Sequence, residues 1–155
     1  MQLTEAERMA MTKVADHALD LHADGQDIVF TAAIVKDGRI VAQARNEVGD
    51  TGDVSRHAEV VAMARAADIL GTRDLSGCTL LASCQPCEMC LGAMRWARID
   101  RVVFGAQQDN ADAEFFRFPQ MRITDFQRAC DGAFAFVGGV EEDRIGHIYA
   151  PGAVA

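Results

Sequence analysis

Apolar residues at Met9, Met11, Val14, Ala15, Ala18, Leu19 and Leu21 recur at helical spacing, so the chain opens with an amphipathic helix. Thr4-Glu5-Ala6-Glu7 starts it as a capping box, in which Thr4 accepts from an orphan amide while Glu7 reaches back, and Gly25 marks its end. Ile28 to Val35 is dense in β-branched residues and reads as a buried strand. Lys36-Asp37-Gly38 turns it back into a second strand over Arg39 to Ala44, which gives a hairpin. Asn46 to Ser55, with two glycines and two aspartates, reads as loop.

From His57 the helical period returns and runs to about Leu70. Cys78 to Ala82 is a strand, Ser83 to Pro86 a turn, and Cys87 to Trp96 a second helix, since Pro86 suits an irregular site or a first helical turn. Ile99 to Phe104 is a further strand and Asp109 to Phe116 a short helix. Met121 to Thr124 and Phe134 to Val137 supply further strand, and Glu141 to Ile148 a last short helix. The order predicts a three-layer α/β/α sandwich on a central mixed five-stranded sheet. In such sheets sites open at the carboxyl ends of strands, where the helices from His57 and Cys87 begin.

Composition narrows the function classes. A chain of 155 residues, 50% hydrophobic and 25% charged, fits one domain with its own core, numbered 1–155. Residues 117–155 read as a variable tail that covers or flanks the site. Apolar runs are short and interrupted, and the acidic amino terminus lacks a basic-then-apolar leader, so neither a membrane span nor a secretory signal is expected. A formal charge of −8 argues against a nucleic-acid substrate held through its phosphates. Five cysteines, an odd number, suit metal-bound thiolates in a reducing, cytoplasmic setting better than a disulfide framework.

The chemistry sits in His57-Ala58-Glu59 and Pro86-Cys87-Glu88-Met89-Cys90. One imidazole and two thiolates form a borderline-soft donor set suited to zinc, with a fourth position left for water. Cys87 and Cys90 are three apart at a helix start, so their sulfurs can converge on one ion. Glu59, two positions beyond His57, can face that water without ligating and relay its proton. The amides near Ala58 and Cys87 are placed to stabilise developing oxygen charge.

Other readings stay open at this level. Cys87-x-x-Cys90 alone also fits a redox pair, or half of a structural zinc site with Cys84, Cys78 or Cys130 as a further ligand. A non-catalytic zinc-stabilised binding module is the rival from another class; it needs neither Glu59 nor an open coordination position. His17, His22 and His147 have no ligand spacing to the site.

H-x-E followed by P-C-x-x-C is the signature of zinc deaminases, and here the chain resembles the cytidine deaminase superfamily. The resemblance runs from about Phe30 to Phe116 and is strongest to the branch holding guanine deaminase, yeast-type cytosine deaminase and the tRNA adenosine deaminase. Cys90-Leu91-Gly92-Ala93-Met94-Arg95-Trp96-Ala97-Arg98 is similar to bacterial guanine deaminases, whereas Arg101-Val102-Val103-Phe104-Gly105-Ala106 resembles the tRNA enzyme. It implies a cytidine deaminase-like fold, a homodimer, and Asn46 as the side chain that binds the substrate ring carbonyl or sugar. Two departures stand out. Thr31 replaces a glycine usual in guanine deaminases, and Phe116 is followed by Arg117 and Phe118 where those enzymes carry an acidic pair.

The expected activity is zinc-dependent hydrolytic deamination of a free nucleobase, guanine or a related 2-aminopurine-like ring such as a pterin or triazine. Cytosine, a nucleoside or tRNA adenosine is the alternative substrate. Glu59 is the expected catalytic residue and His57, Cys87 and Cys90 the expected metal ligands. Asn46, Phe30, Ala58, Trp96, Phe115 and Phe116 are the expected substrate contacts, the aromatic ones as pocket walls in competition with plain packing roles.

Overall fold

The strand residues alternate between two faces, and each face has its own helices. Ala32, Ile34, Leu80, Ala82, Val102 and Phe104 share one core with Val61, Ala62, Ala66, Leu91 and Met94. Ala33, Val35, Leu81 and Val103, one position out of phase, share another with Ala10, Met11 and Val14. A side-chain period of two along buried strands thus splits the interior into two apolar layers, one on each side of the sheet.

The computed structural model describes residues 1–153. Its first helix, α1, covers Glu5–Ala23 and carries the expected capping box. Strands β1 (Thr31–Lys36) and β2 (Arg39–Arg45) form the hairpin, with Lys36 opposite Arg39. Asp37 and Gly38 between them have φ of 50° and 75°, the left-handed pair that a two-residue turn of this hand requires. A single helical turn, α2 (Val48–Thr51), precedes α3 (Ala58–Leu70), β3 (Cys78–Cys84), α4 (Glu88–Trp96) and β4 (Arg101–Ala106). The remainder is α5 (Ile123–Ala129), β5 (Ala135–Val137) and α6 (Glu142–Tyr149).

The sheet order is β2-β1-β3-β4-β5. β1 is antiparallel to both β2 and β3, and β3, β4 and β5 run parallel, so the sheet is mixed and five-stranded, as expected. The central strand β3 is buried along its whole length and delivers the chain to Cys84, one short turn before Cys87.

Five local expectations change. Asn46 to Ser55 is not all loop, because Val48–Thr51 forms the helical turn α2. Ile28 to Phe30 is not strand: Val29 gives its carbonyl to the Tyr149 hydroxyl, Phe30 accepts from the Asn46 amide, and the ladder begins at Thr31 opposite Arg45. Ser83 and Cys84 extend β3, because Cys84 still pairs with Ala106. Asp109 to Phe116 is two 3-10 turns, Gln108–Asn110 and Ala113–Phe115, interrupted where the Asp112 amide donates to Tyr149. Met121 to Thr124 leads into helix α5 instead of strand, since Asp125 accepts from the Arg122 amide at 2.7 Å and starts a helix there.

Candidate metal centre and pocket

His57 is the N-cap of α3 and makes no side-chain cap bond, so its imidazole is free to turn outward from the helix start. Cys87 is likewise the N-cap of α4, and Cys90 lies one turn in. Both helices begin beyond the carboxyl end of β3, and three donor atoms meet there. Cys87 Sγ is 3.5 Å from His57 Nδ1, Cys90 Sγ is 3.6 Å from it, and the two sulfurs are 3.7 Å apart.

Those three separations test the metal reading. Zn–S bonds of about 2.3 Å and Zn–N bonds of about 2.0–2.1 Å at tetrahedral angles put two sulfurs ~3.8 Å apart and sulfur ~3.6 Å from nitrogen. The donors therefore already form one face of such a tetrahedron. A disulfide would need the sulfurs about 2.05 Å apart, and both thiols are free.

Hydrogen bonds couple the three donors. The Cys87 thiol is lowered to about 4, foremost by the hydrogen bond from Cys90, which outweighs burial, and then by His57. Cys90 is raised by that same bond and by burial, while His57 is raised by its bond to Cys87. A cation that replaces these protons satisfies all three groups at once.

Cys84 does not complete the set. It is buried beside the same cavity, but the group of ligand atoms that lie within 4.8 Å of one another holds only His57, Cys87 and Cys90 among the described residues. Burial also raises its thiol, which keeps the sulfur neutral.

Glu59 is the second residue of α3 and stays outside that group, yet it lines the same cavity at 6% exposure. Burial first, then the neighbouring Cys87 charge, raise its carboxyl from 4.5 to about 7. A carboxyl poised near neutrality beside a metal site can both take and return a proton.

The cavity encloses about 600 Å³. Phe30 and Phe115 line it and pack edge to face at 5.1 Å, which gives it an apolar aromatic wall. Asn46 lines it too, with Oδ1 accepting from the Val48 amide at 2.9 Å. That bond fixes the amide and leaves Nδ2 as the donor available to a ligand.

Ala58 opens α3 with its side chain fully buried, so only its first-turn backbone belongs near the site. Phe116 is 5% exposed and packs in the core with Ala106, Ile145 and Tyr149, and Trp96 is 90% exposed; neither lines the cavity. Phe118 is exposed, and Asp125 serves as the cap partner of α5.

Sequence reasoning missed Val54, Gln85, Glu88, Met89, Glu114 and Arg117, all of which line the cavity. Glu88 and Met89 are the two positions between the cysteines, so the motif itself places them at the site. Glu114 and Arg117 carry no such signal: the Arg117 amide donates to Glu88 at 2.6 Å, and that bond draws the segment in.

Fold and donor set together define a protein of the cytidine deaminase architecture with a three-donor cluster fit for a metal ion. The family described as the cytidine and deoxycytidylate deaminase zinc-binding region matches residues 4–106, and the chain belongs to that family. It is 47% identical over 87 residues to the guanine deaminase of Bacillus subtilis, a match covering 56% of each chain. The chain spans little more than half of that curated relative, and 16% of a similar tRNA(Ile)-lysidine synthase from Deinococcus radiodurans. A solved structure in complex with 2,6-diaminopurine superposes with a TM-score of 0.76 at 27% identity, over 95% of this chain and 81% of the other. One from studies of A-to-I editing by tRNA:A34 deaminases gives 0.72 at 28% identity, over 90% of this chain and 99% of the other.

Proposed function

We propose that the protein is a zinc-dependent aminohydrolase that releases ammonia from a free nucleobase, with guanine or a related 2-aminopurine-like ring as its substrate. The carrying observation is a three-donor tetrahedral face that shares one cavity with a buried, unligated carboxylate. Zinc held by His57, Cys87 and Cys90 would supply a Lewis acid that lowers the pKa of water.

The protein's own groups account for the rest. Glu59, buried in the cavity beside the donors, takes a proton from the attacking water and delivers it to the ring nitrogen beside the amino-bearing carbon. Glu59, again a carboxylate, then takes the proton of the new hydroxyl on the tetrahedral carbon and passes it to the amino nitrogen, so the C–N bond breaks, the C=O forms and ammonia leaves. Phe30 and Phe115 offer the ring an apolar wall, the Asn46 amide donates to a ring acceptor, and the first-turn amides of α3 and α4 face the developing oxygen charge.

The likeness to the tRNA:A34 deaminase structure makes a base within tRNA the alternative substrate. The charge of −8 opposes it, because phosphate binding by counterion release needs a basic face. A purely structural zinc module would have no use for Glu59 in the cavity. We also propose a homodimer in a reducing, cytoplasmic setting, supported by the uncovered Trp96 ring and five free thiols. No helix among the described residues is long and apolar enough to cross a membrane.

Ammonia release from purines, pyrimidines, pterins, triazines and their nucleosides, measured alongside zinc stoichiometry, tests the reading. The expected result is turnover of guanine or a 2-amino ring with about one zinc per chain. Turnover of tRNA adenosine alone, or none with zinc bound, would reject it.

A further inference from the structure

Arg117 is the one guanidinium that lines the cavity, and among the described residues no carboxylate lies within ion-pair distance of it. Arg8, Arg39, Arg73 and Arg95 hold no such pair among the described residues either, but they do not line the cavity, whereas Arg45, Arg56, Arg65, Arg98, Arg101, Arg122, Arg128 and Arg144 are all paired. The two acidic side chains on the same wall do not claim it. Glu88 accepts from the Arg117 backbone amide at 2.6 Å, and Glu114 is exposed.

The position of Arg117 is nonetheless fixed. Asp112 caps the preceding 3-10 turn by accepting from the Glu114 amide at 2.9 Å, Phe116 is anchored in the core, and Phe115 leans on Phe30. The backbone at Arg117 is thus held at the cavity wall, and its exposed side chain belongs to the lining of the cavity that the donor cluster shares.

We propose that Arg117 is a specificity-determining residue that reads the edge of a purine opposite the reacting carbon, with its fork on the ring oxygen O6 and nitrogen N7. The proposal rests on the deaminase reading above and extends it to the recognition of the far edge. When the amino-bearing C2 faces the metal centre, the five-membered ring and N7 point away from it, toward the wall where Arg117 stands. Paired acceptors of that geometry are the commonest specific partner of an arginine fork. Adenine and 2,6-diaminopurine put an amino donor where guanine has O6, and a pyrimidine has no N7, so the fork rejects each by leaving a donor unmatched.

The test compares kcat/KM for guanine, 7-deazaguanine and 2,6-diaminopurine in the zinc-loaded wild type, Arg117→Lys and Arg117→Ala. The wild type is expected to favour guanine over both analogues by about tenfold or more, the worth of a charge-assisted bond. In Arg117→Ala that ratio collapses towards unity, and Arg117→Lys, a point charge without the fork, retains only part of it. An equal fall for all three rings in Arg117→Ala, or a wild type indifferent to loss of N7 or O6, would overturn the proposal.

Calorimetric binding of xanthine and 7-deazaxanthine, which carry no amino group to lose, separates the two layers. If no ring is turned over but xanthine binds about tenfold tighter than its deaza form in an Arg117-dependent way, the deamination reading fails and edge recognition stands. If guanine is turned over without any Arg117-dependent ratio in either assay, edge recognition fails alone.

Discussion

The Glu7 carboxylate on α1 grips Arg101 on β4 with two bonds, 2.5 Å to Nε and 2.9 Å to Nη2, across the width of the helix–sheet interface. Thr79 on β3 and the Thr4 amide each add a bond of 2.9 Å, so a buried acid is satisfied from three elements at once. Burial by itself would raise this carboxyl, but the bonds from Arg101, Thr4 and Thr79 outweigh it and bring it from 4.5 down to about 2.

A carboxyl lowered in the folded state binds its proton more weakly there than in the unfolded chain. Its stabilisation is therefore fully present above pH 4.5 and is lost as the pH falls towards 2. The shift corresponds to about 3 kcal/mol. Chemical denaturation across that window should show the loss, and Glu7→Gln should be weaker at pH 7 by a similar amount while converging with the wild type near pH 2. Parallel curves for the two proteins would refute the role of the pair.

Tyr149 tethers α6 beneath the pocket wall. Its hydroxyl lies 2.8 Å from both the Val29 carbonyl and Ser83 Oγ, and its ring lies 5.2 Å from that of Phe30. A carbonyl can only accept, so the phenolic proton goes to Val29, and Ser83, which accepts from the Thr31 amide, supplies the proton of the second bond. Tyr149→Phe keeps the packing but strands Val29 and Ser83, at an expected cost of about 1–3 kcal/mol. A denaturant midpoint unchanged at constant m-value would show that the bonds carry no net stability.

The convergence of His57, Cys87 and Cys90, with Glu59 on the same cavity, was legible in the sequence from the H-x-E and P-C-x-x-C signature together with two helix starts and a three-residue spacing within one of them. The sheet was legible for a similar reason, since period-two burial and the Asp37-Gly38 turn are local. The aromatic wall was not. Phe115 and Phe116 are consecutive at the end of a 3-10 turn, so one faces the cavity and the other the core, and composition gives no phase. Trp96 closes α4 away from the face that buries Cys90, Leu91 and Met94. Arg117 is brought to the cavity by tertiary contacts, among them its amide's bond to Glu88, a contact between segments 29 residues apart.

Trp96 is instead the side chain on which the proposed homodimer can be tested. An indole 90% exposed on a folded surface loses apolar contact that a second copy would restore. Covering it is worth about 1.5–3 kcal/mol, so Trp96→Glu should weaken dimerisation by roughly tenfold to a hundredfold. Sedimentation velocity over a concentration series measures this directly, and a wild type that stays monomeric at high micromolar concentration would remove the dimer from the proposal.

Glu59 separates chemistry from metal retention most cleanly, because it shares the cavity with the donors without being one of them. Glu59→Gln preserves size and hydrogen-bonding capacity but cannot carry a proton between water and ring. Relief of a buried carboxyl should leave thermal stability equal or higher, with zinc content unchanged and kcat lower by about 10²–10⁴-fold. Cys87→Ser should instead lower zinc affinity, thermal midpoint and turnover together, as should a chelator, whose effect added zinc reverses. If Glu59→Gln lost zinc as Cys87→Ser does, the carboxylate would be a ligand and the proton relay would need another residue. If it kept both zinc and turnover, the cavity would have to do its chemistry without that carboxylate.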